Sequence, residues 1–153
     1  MMKLIQRQAI ILPSHNGGVC CVRYSLLGLI DKVCINVIYA DLEDFHDHPW
    51  DYVSIILWGG YKESQWKDGK VTSKIYGPGS ILKRKHSQFH KIEPIGKKAI
   101  TLFWKGPKQK NYINWVKDNI VYRESKFWLL QGYTKSKMRK IYTSMKNYTK
   151  RNL

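Results

Sequence analysis

A chain of 153 residues is long enough for one domain with a real core, and its 43% apolar content excludes a disordered polypeptide. No apolar run approaches the roughly 20 residues that cross a bilayer, and Met1 to Arg7 carries charge without a long apolar region behind it, so neither a membrane span nor a signal peptide is expected. The net charge of +16 favours polyanionic partners, whether nucleic acid, nucleotides or an anionic surface, although the lysine, asparagine and isoleucine usage equally fits a solvated basic face.

In chain order, residues 4–12 are apolar enough for a first strand, and 13–18, punctuated by Asn16-Gly17-Gly18, form a turn in which His15 is exposed. Residues 19–27 and 32–39, rich in β-branched and aromatic side chains, read as strands, and 41–44 is an acidic loop. Residues 45–61 form a strand region interrupted near Pro49. Within it, Tyr52 to Trp58 is nearly continuous apolar sequence, expected to be buried on both faces. Gly59-Gly60 lets the backbone bend or bulge. Residues 61–66 and 71–76 pair across Asp68-Gly69, a strong hairpin signal. After the tight turn Gly77-Pro78-Gly79 come short strands at 80–84 and 89–93, a turn at Gly96, and an apolar strand at 99–105 that Gly106-Pro107 ends. Short strands with turns at roughly 8–12-residue spacing indicate a sandwich or small barrel.

From Thr134, a suitable cap, Met138, Ile141, Tyr142, Met145 and Tyr148 recur at helical spacing. This predicts a C-terminal amphipathic helix docked on the barrel, with residues 1–133 as the β domain and 134–153 as a basic helix or tail. Charge is polarised along the chain. Five of the eleven acids fall between Asp41 and Asp51, whereas the last thirty residues hold eight lysines and arginines against Glu124 alone. The three cysteines, Cys20, Cys21 and Cys34, are odd in number and match no zinc knuckle, so reduced thiols in a cytoplasmic protein are expected.

Four of the five histidines lie in two short clusters, His46-Asp47-His48 and His86-Ser87-Gln88-Phe89-His90. Imidazole is the commonest neutral nitrogen ligand for transition metals. Two histidines at i and i+2 on a strand share a face, and a third from a neighbouring strand completes a three-His site with open positions. His86, four residues before His90, is a candidate fourth ligand, general base or rim residue. Asp47 alternates away from the ligand face and is better placed to orient a ring or backbone group. Asp44 and Glu43 could bond imidazole N–H groups, though a solvated acidic loop is the simpler reading. If the strand stays regular, Trp50, Tyr52 and Trp58 share the parity of the His pair and could line a pocket, with aromatic core packing as the alternative. Arg84 is a further pocket candidate. Gly77-Pro78-Gly79 lacks the lysine and helix start of a phosphate loop, and no Ser-His-Asp or Cys-His arrangement has local support.

His46-Asp47-His48 followed by a strand ending at Gly59-Gly60 resembles the first motif of the cupin superfamily. Gly79 to His90, a glycine that starts a strand with a histidine eleven residues on, resembles the second. The phrase His46-Asp47-His48-Pro49-Trp50, with Trp58-Gly59-Gly60-Tyr61 and Phe103-Trp104-Lys105-Gly106-Pro107, looks like small cupin-like proteins of bacteria and phages. The resemblance covers about residues 35–105. It implies an all-β jelly-roll barrel with a metal near its mouth, held by His46, His48 and His90 plus a carboxylate. The chain departs from the pattern where the family carries a glutamate, three or four residues beyond the second histidine. Tyr52 and Val53 stand there, and Asp51 is one position early. Three neutral ligands leave iron, zinc, nickel or copper as candidate metals, and a metal-free cupin stays open. In cupin-type sugar epimerases a histidine base works with a tyrosine acid; His90 and Tyr52 could do the same if they face each other.

These features leave three functions open. The first is a metal-dependent enzyme on a small molecule, of dioxygenase, isomerase or lyase type, with Asp51, Tyr52 and His86 as catalytic candidates. The second is a non-catalytic module for a nucleotide or sugar, or one that interferes with a host factor in a phage setting. The third is a nucleic-acid binder using the basic tail and aromatics flanked by lysine, such as Trp104-Lys105 and Lys126-Phe127-Trp128. Cupins often dimerise through their sheets, and a homodimer would cover edge strands.

Overall fold

Period-two patterning and frequent turn residues give an all-β chain. The structure is a computed structural model and describes residues 5–11, 19–26, 32–40, 44–123, 126 and 130. The predicted C-terminal helix, the turn holding His15, and Glu43 lie outside the described residues. The strands are β1 (Ile5–Ile11), β2 (Val19–Leu26), β3 (Val33–Ile38), β4 (Trp50–Trp58), β5 (Tyr61–Lys67), β6 (Lys70–Tyr76), β7 (Ile81–Arg84), β8 (Phe89–Pro94), β9 (Ala99–Lys108), β10 (Asn114–Lys117) and β11 (Ile120–Arg123).

All pairings are antiparallel. One sheet has the order β1-β2-β3-β9-β4-β7, a second β6-β5-β8, and β10 pairs with β11. Non-sequential neighbours, with β9 between β3 and β4, are what a barrel of crossing strands requires. The core between the sheets holds Cys21, Ile38, Ile56, Leu82 and Ala99 from the larger sheet and Tyr61 from the smaller one. Cys20, Cys21 and Cys34 are buried and form no disulfide, and burial pushes Cys21 up to about 12, which keeps it a protonated, unreactive core group.

Three features differ from the expectation. Val53 and Ile55 are half-buried and Leu57 and Trp58 exposed, so β4 buries one face rather than two. Its antiparallel neighbours leave the outer face without a covering layer among the described residues. Strand β9 runs through Gly106-Pro107 to Lys108. The β10–β11 hairpin was not anticipated; its turn, Asp118-Asn119, has φ values of 51° and 61°, the left-handed pair that a tight hairpin needs. Asp68-Gly69 makes the same turn between β5 and β6, as its sequence predicts.

Candidate metal centre

The first His cluster lies on a short bridging segment, not inside a strand. His46 pairs with His90 of β8 on one side and with Trp115 of β10 on the other. The ladder is complete: His46 N–H donates to the His90 carbonyl (3.0 Å), His90 N–H returns to His46 (2.9 Å), and Val116 N–H donates to Phe45 (2.9 Å). Asp47 turns the opposite way and is 1% exposed. Its carboxylate accepts from the Asn114 amide N–H (2.8 Å), the Asn114 side-chain amide (2.8 Å) and Lys110 Nζ. A buried carboxylate with three donors clamps the segment to the 110–114 loop. It is a structural anchor, in keeping with its parity.

This placement brings His46, His48 and His90 together, with one nitrogen from each ring within 4.8 Å of the others. Metal–nitrogen bonds of 2.0–2.1 Å in a tetrahedral site imply nitrogens about 3.3 Å apart, so little adjustment is needed. His48 Nε2 and His90 Nε2 already face each other at 2.8 Å. The outward nitrogens are committed elsewhere. His46 Nδ1 donates to the Asp44 carbonyl (3.2 Å) and His90 Nδ1 to Glu63 Oε1 (2.8 Å). Both partners only accept, so both Nδ1 atoms carry a proton, which leaves Nε2 of each ring as the nitrogen free to face the cluster. Burial, followed by the neighbouring His90, lowers His46 to about 3, and the same causes hold His48 well below the usual imidazole range. Three imidazoles, two buried and one half-buried, with a nitrogen of each converging on one point are the donor set of a divalent transition metal.

Glu63 is the site residue that the sequence reading missed. It lies on β5, 3% exposed, and its carboxylate accepts from His90 Nδ1 and from Arg84 Nε (3.0 Å) and Nη2. Burial pushes its carboxyl up, but the bonds from His90 and Arg84 outweigh that and bring it to about 2. Arg84 also donates to the Tyr76 hydroxyl (3.3 Å). Arg84, expected in the substrate pocket, therefore stands behind the histidines, paired with Glu63.

The remaining candidates separate. Tyr52 joins the cluster, its hydroxyl 3.2 Å from His90 Nε2 and its ring 4.5 Å from Phe103. Burial and the Glu63 charge raise its phenol well above the usual range, so it stays protonated. Trp50 stacks 6.4 Å from His48. Asp51 and His86 pair with each other on the rim: Asp51 Oδ1 accepts from His86 N–H (2.7 Å) and faces His86 Nδ1 (2.9 Å). The bonds from His86 hold Asp51 at about 2, and neither residue is in the three-His group. Trp58 is 65% exposed, because a register shift between Ile56 and Trp58 reverses the alternation that would have turned it inward.

No protein-family model matches the sequence, and no curated protein matches it. Solved structures do. The chain is similar to Fe(II)-HppE with the alternative substrate (S)-1-HPP, with a TM-score of 0.57 and 9% identity over 69% of this chain and 58% of that one. The barrel is of the cupin type. FeII HppE gives a TM-score of 0.55 with the same identity and coverage. The Drosophila melanogaster CENP-C cupin domain gives 0.46 at 10% identity, over 56% of this chain and 68% of that one. The match spans little more than half of the HppE chains, and at such identity the likeness is one of fold. Among the described residues no helix is long and apolar enough to cross a membrane.

Proposed function

We propose that this cupin barrel binds one divalent transition metal through His46, His48 and His90 and works as a metal-dependent enzyme on a small molecule. The observation that carries the reading is the convergence of three imidazoles, two buried and one half-buried, with one nitrogen of each within 4.8 Å of the others. Bound there, the metal supplies a Lewis acid or an oxygen-activating centre with open positions, suited to dioxygenase, isomerase or lyase chemistry. The chain's own residues do the rest. Glu63 fixes the His90 tautomer and ring plane, Arg84 holds Glu63 ionised, and the Asp47 clamp sets the backbone that carries His46 and His48. Tyr52 keeps a hydroxyl proton beside the cluster in a region closed off by Phe103 and Trp50.

Elemental analysis tests this. Purified protein should carry about one equivalent of iron, zinc, nickel or copper, lost in His46→Ala and His90→Ala variants that retain the β-sheet circular dichroism of the parent. Folded parent protein that takes up none of these metals on reconstitution would overturn it. A second reading rests on Tyr52 lying 3.2 Å from His90 Nε2: without metal the two form an acid–base pair for proton transfer at carbon. Turnover that survives chelation but not Tyr52→Phe would favour it.

A further inference from the structure

The charges inside the barrel do not balance evenly. Glu63 is matched by Arg84, and Asp47 by Lys110. His90 faces the same Glu63 carboxylate. Arg23 has no such match. It sits on β2 opposite Asn36 of β3, and its Nε donates to Asn36 Oδ1 at 2.8 Å. Among the described residues no carboxylate pairs with it. Asn36 is 5% exposed and is a neutral acceptor that fixes the guanidinium plane while leaving the Nη edge for something else. That guanidinium lies 5.6 Å from the Phe103 ring, which stacks on Tyr52, whose ring stands 5.0 Å from His48.

A half-buried guanidinium held by a neutral amide is costly unless an anion meets it. A divalent metal held by three imidazoles would add positive charge to the same interior. The interior surroundings are polar as well. Ser54, Asn36 and Thr101 are all 5% exposed or less and belong to the strands that carry this face. Close by, Trp50 presents a buried indole N–H with no partner among the described residues, in the cluster formed with Cys34, Tyr52 and Phe103. Unspent donors and positive charge beside a metal site select an oxyanion.

We infer that Arg23 binds the acid group of a small organic acid, carboxylate or phosphate monoester, whose remaining atoms lie over Phe103 and Tyr52 and reach the metal on His46, His48 and His90. This deepens the reading under Proposed function and rests on it. Arg23 selects a ligand that carries an acid group; the histidines hold the end that meets the metal.

The test uses the full chain loaded with cobalt(II), whose visible absorption reports its ligands. It is titrated with glycolate, 2-hydroxyethyl phosphate and the neutral glycolamide, which share a hydroxyl and differ in charge. One or both acids should shift the spectrum at concentrations where glycolamide does not, and whichever acts names the acid group. Arg23→Gln should weaken acid binding about tenfold to a hundredfold, the range for a lost charged hydrogen bond, with cobalt affinity unchanged. Asn36→Asp keeps the guanidinium but gives it an internal carboxylate, and should weaken binding similarly even if Arg23→Gln fails to fold. Acid binding equal in parent and Asn36→Asp, glycolamide binding as tight as the acids, or no acid binding at all would overturn the inference while leaving the metal reading intact. Failure to take up cobalt would remove both, and the metal titration alone distinguishes that case.

Discussion

Replacing Glu63 by glutamine separates what this residue does for stability from what it does for the metal site. Glu63 Oε1 accepts from both His90 Nδ1 and Arg84 Nε, while Oε2 accepts from Arg84 Nη2. In Glu63→Gln the amide oxygen can keep the Oε1 contacts, but an NH2 group then points at the Arg84 Nη2 donor. The side chains of Arg84 and Glu63 are only 12% and 2% exposed, so water cannot screen the orphaned guanidinium. Breaking one partner of a buried ion pair costs 3–5 kcal/mol; the retained contacts place this case at about 3 kcal/mol. His90, now bonded to a neutral acceptor, becomes a weaker donor, and loss of such an outer partner lowers metal affinity about 10- to 100-fold. Urea denaturation of chelated protein and zinc competition against a chromophoric chelator measure the two effects. Adding Arg84→Met removes the donor–donor conflict, so the double variant should regain most of the stability and none of the zinc affinity. A loss below about 1 kcal/mol in the single variant, or a double variant no more stable than it, would refute the reasoning.

Chelated protein should also be acid-labile. His46 is lowered from 6.5 to about 3, so the unfolded chain binds a proton that the folded state refuses, and stability falls as pH drops below the unfolded value. Between pH 7 and pH 5 this one residue removes about 2 kcal/mol, with His48 acting in the same direction and Glu63 adding a further loss from about pH 4.5 down to about 2. A melting temperature of the chelated protein that stays flat from pH 7 to pH 5 would contradict the burial of neutral imidazoles. Gly59→Ala should destabilise by more than about 2 kcal/mol: its φ is +70°, and a Cβ would stand 2.4 Å from the Lys98 carbonyl oxygen, combining left-handed strain with a backbone clash. Ala99, next along, is fully buried and cannot yield. Urea denaturation of the variant checks this, and a loss under about 0.5 kcal/mol would show that the turn is not constrained as described.

What the sequence disclosed and what it hid follow from the range of the interactions involved. Strand existence, the Asp68-Gly69 hairpin and the shared face of His46 and His48 are local, set by side-chain alternation and turn chemistry within a few residues. The assembly of the three histidines became legible through two motifs whose glycines and spacings are also local. Glu63 was invisible because nothing near it in sequence marks it. Tyr61-Lys62-Glu63-Ser64 reads as an ordinary half-exposed strand, and its meaning comes from cross-strand neighbours: His90 27 residues away and Arg84 21 residues away. The inward parity of Tyr61 and Glu63 after the Gly59-Gly60 bend was the one available signal. Trp58 failed for a related reason. A single irregularity in the β4–β9 register, which no residue type announces, turns its side chain from the pocket to the surface. Arg84 illustrates the cost of reading charge without its partner. Taken alone it is a natural substrate anchor, but once Glu63 is seen it is spent on holding His90. Among the described residues Arg23 is the enclosed cation that no carboxylate pairs, which is why the proposed substrate anchor lies on β2 and not on β7.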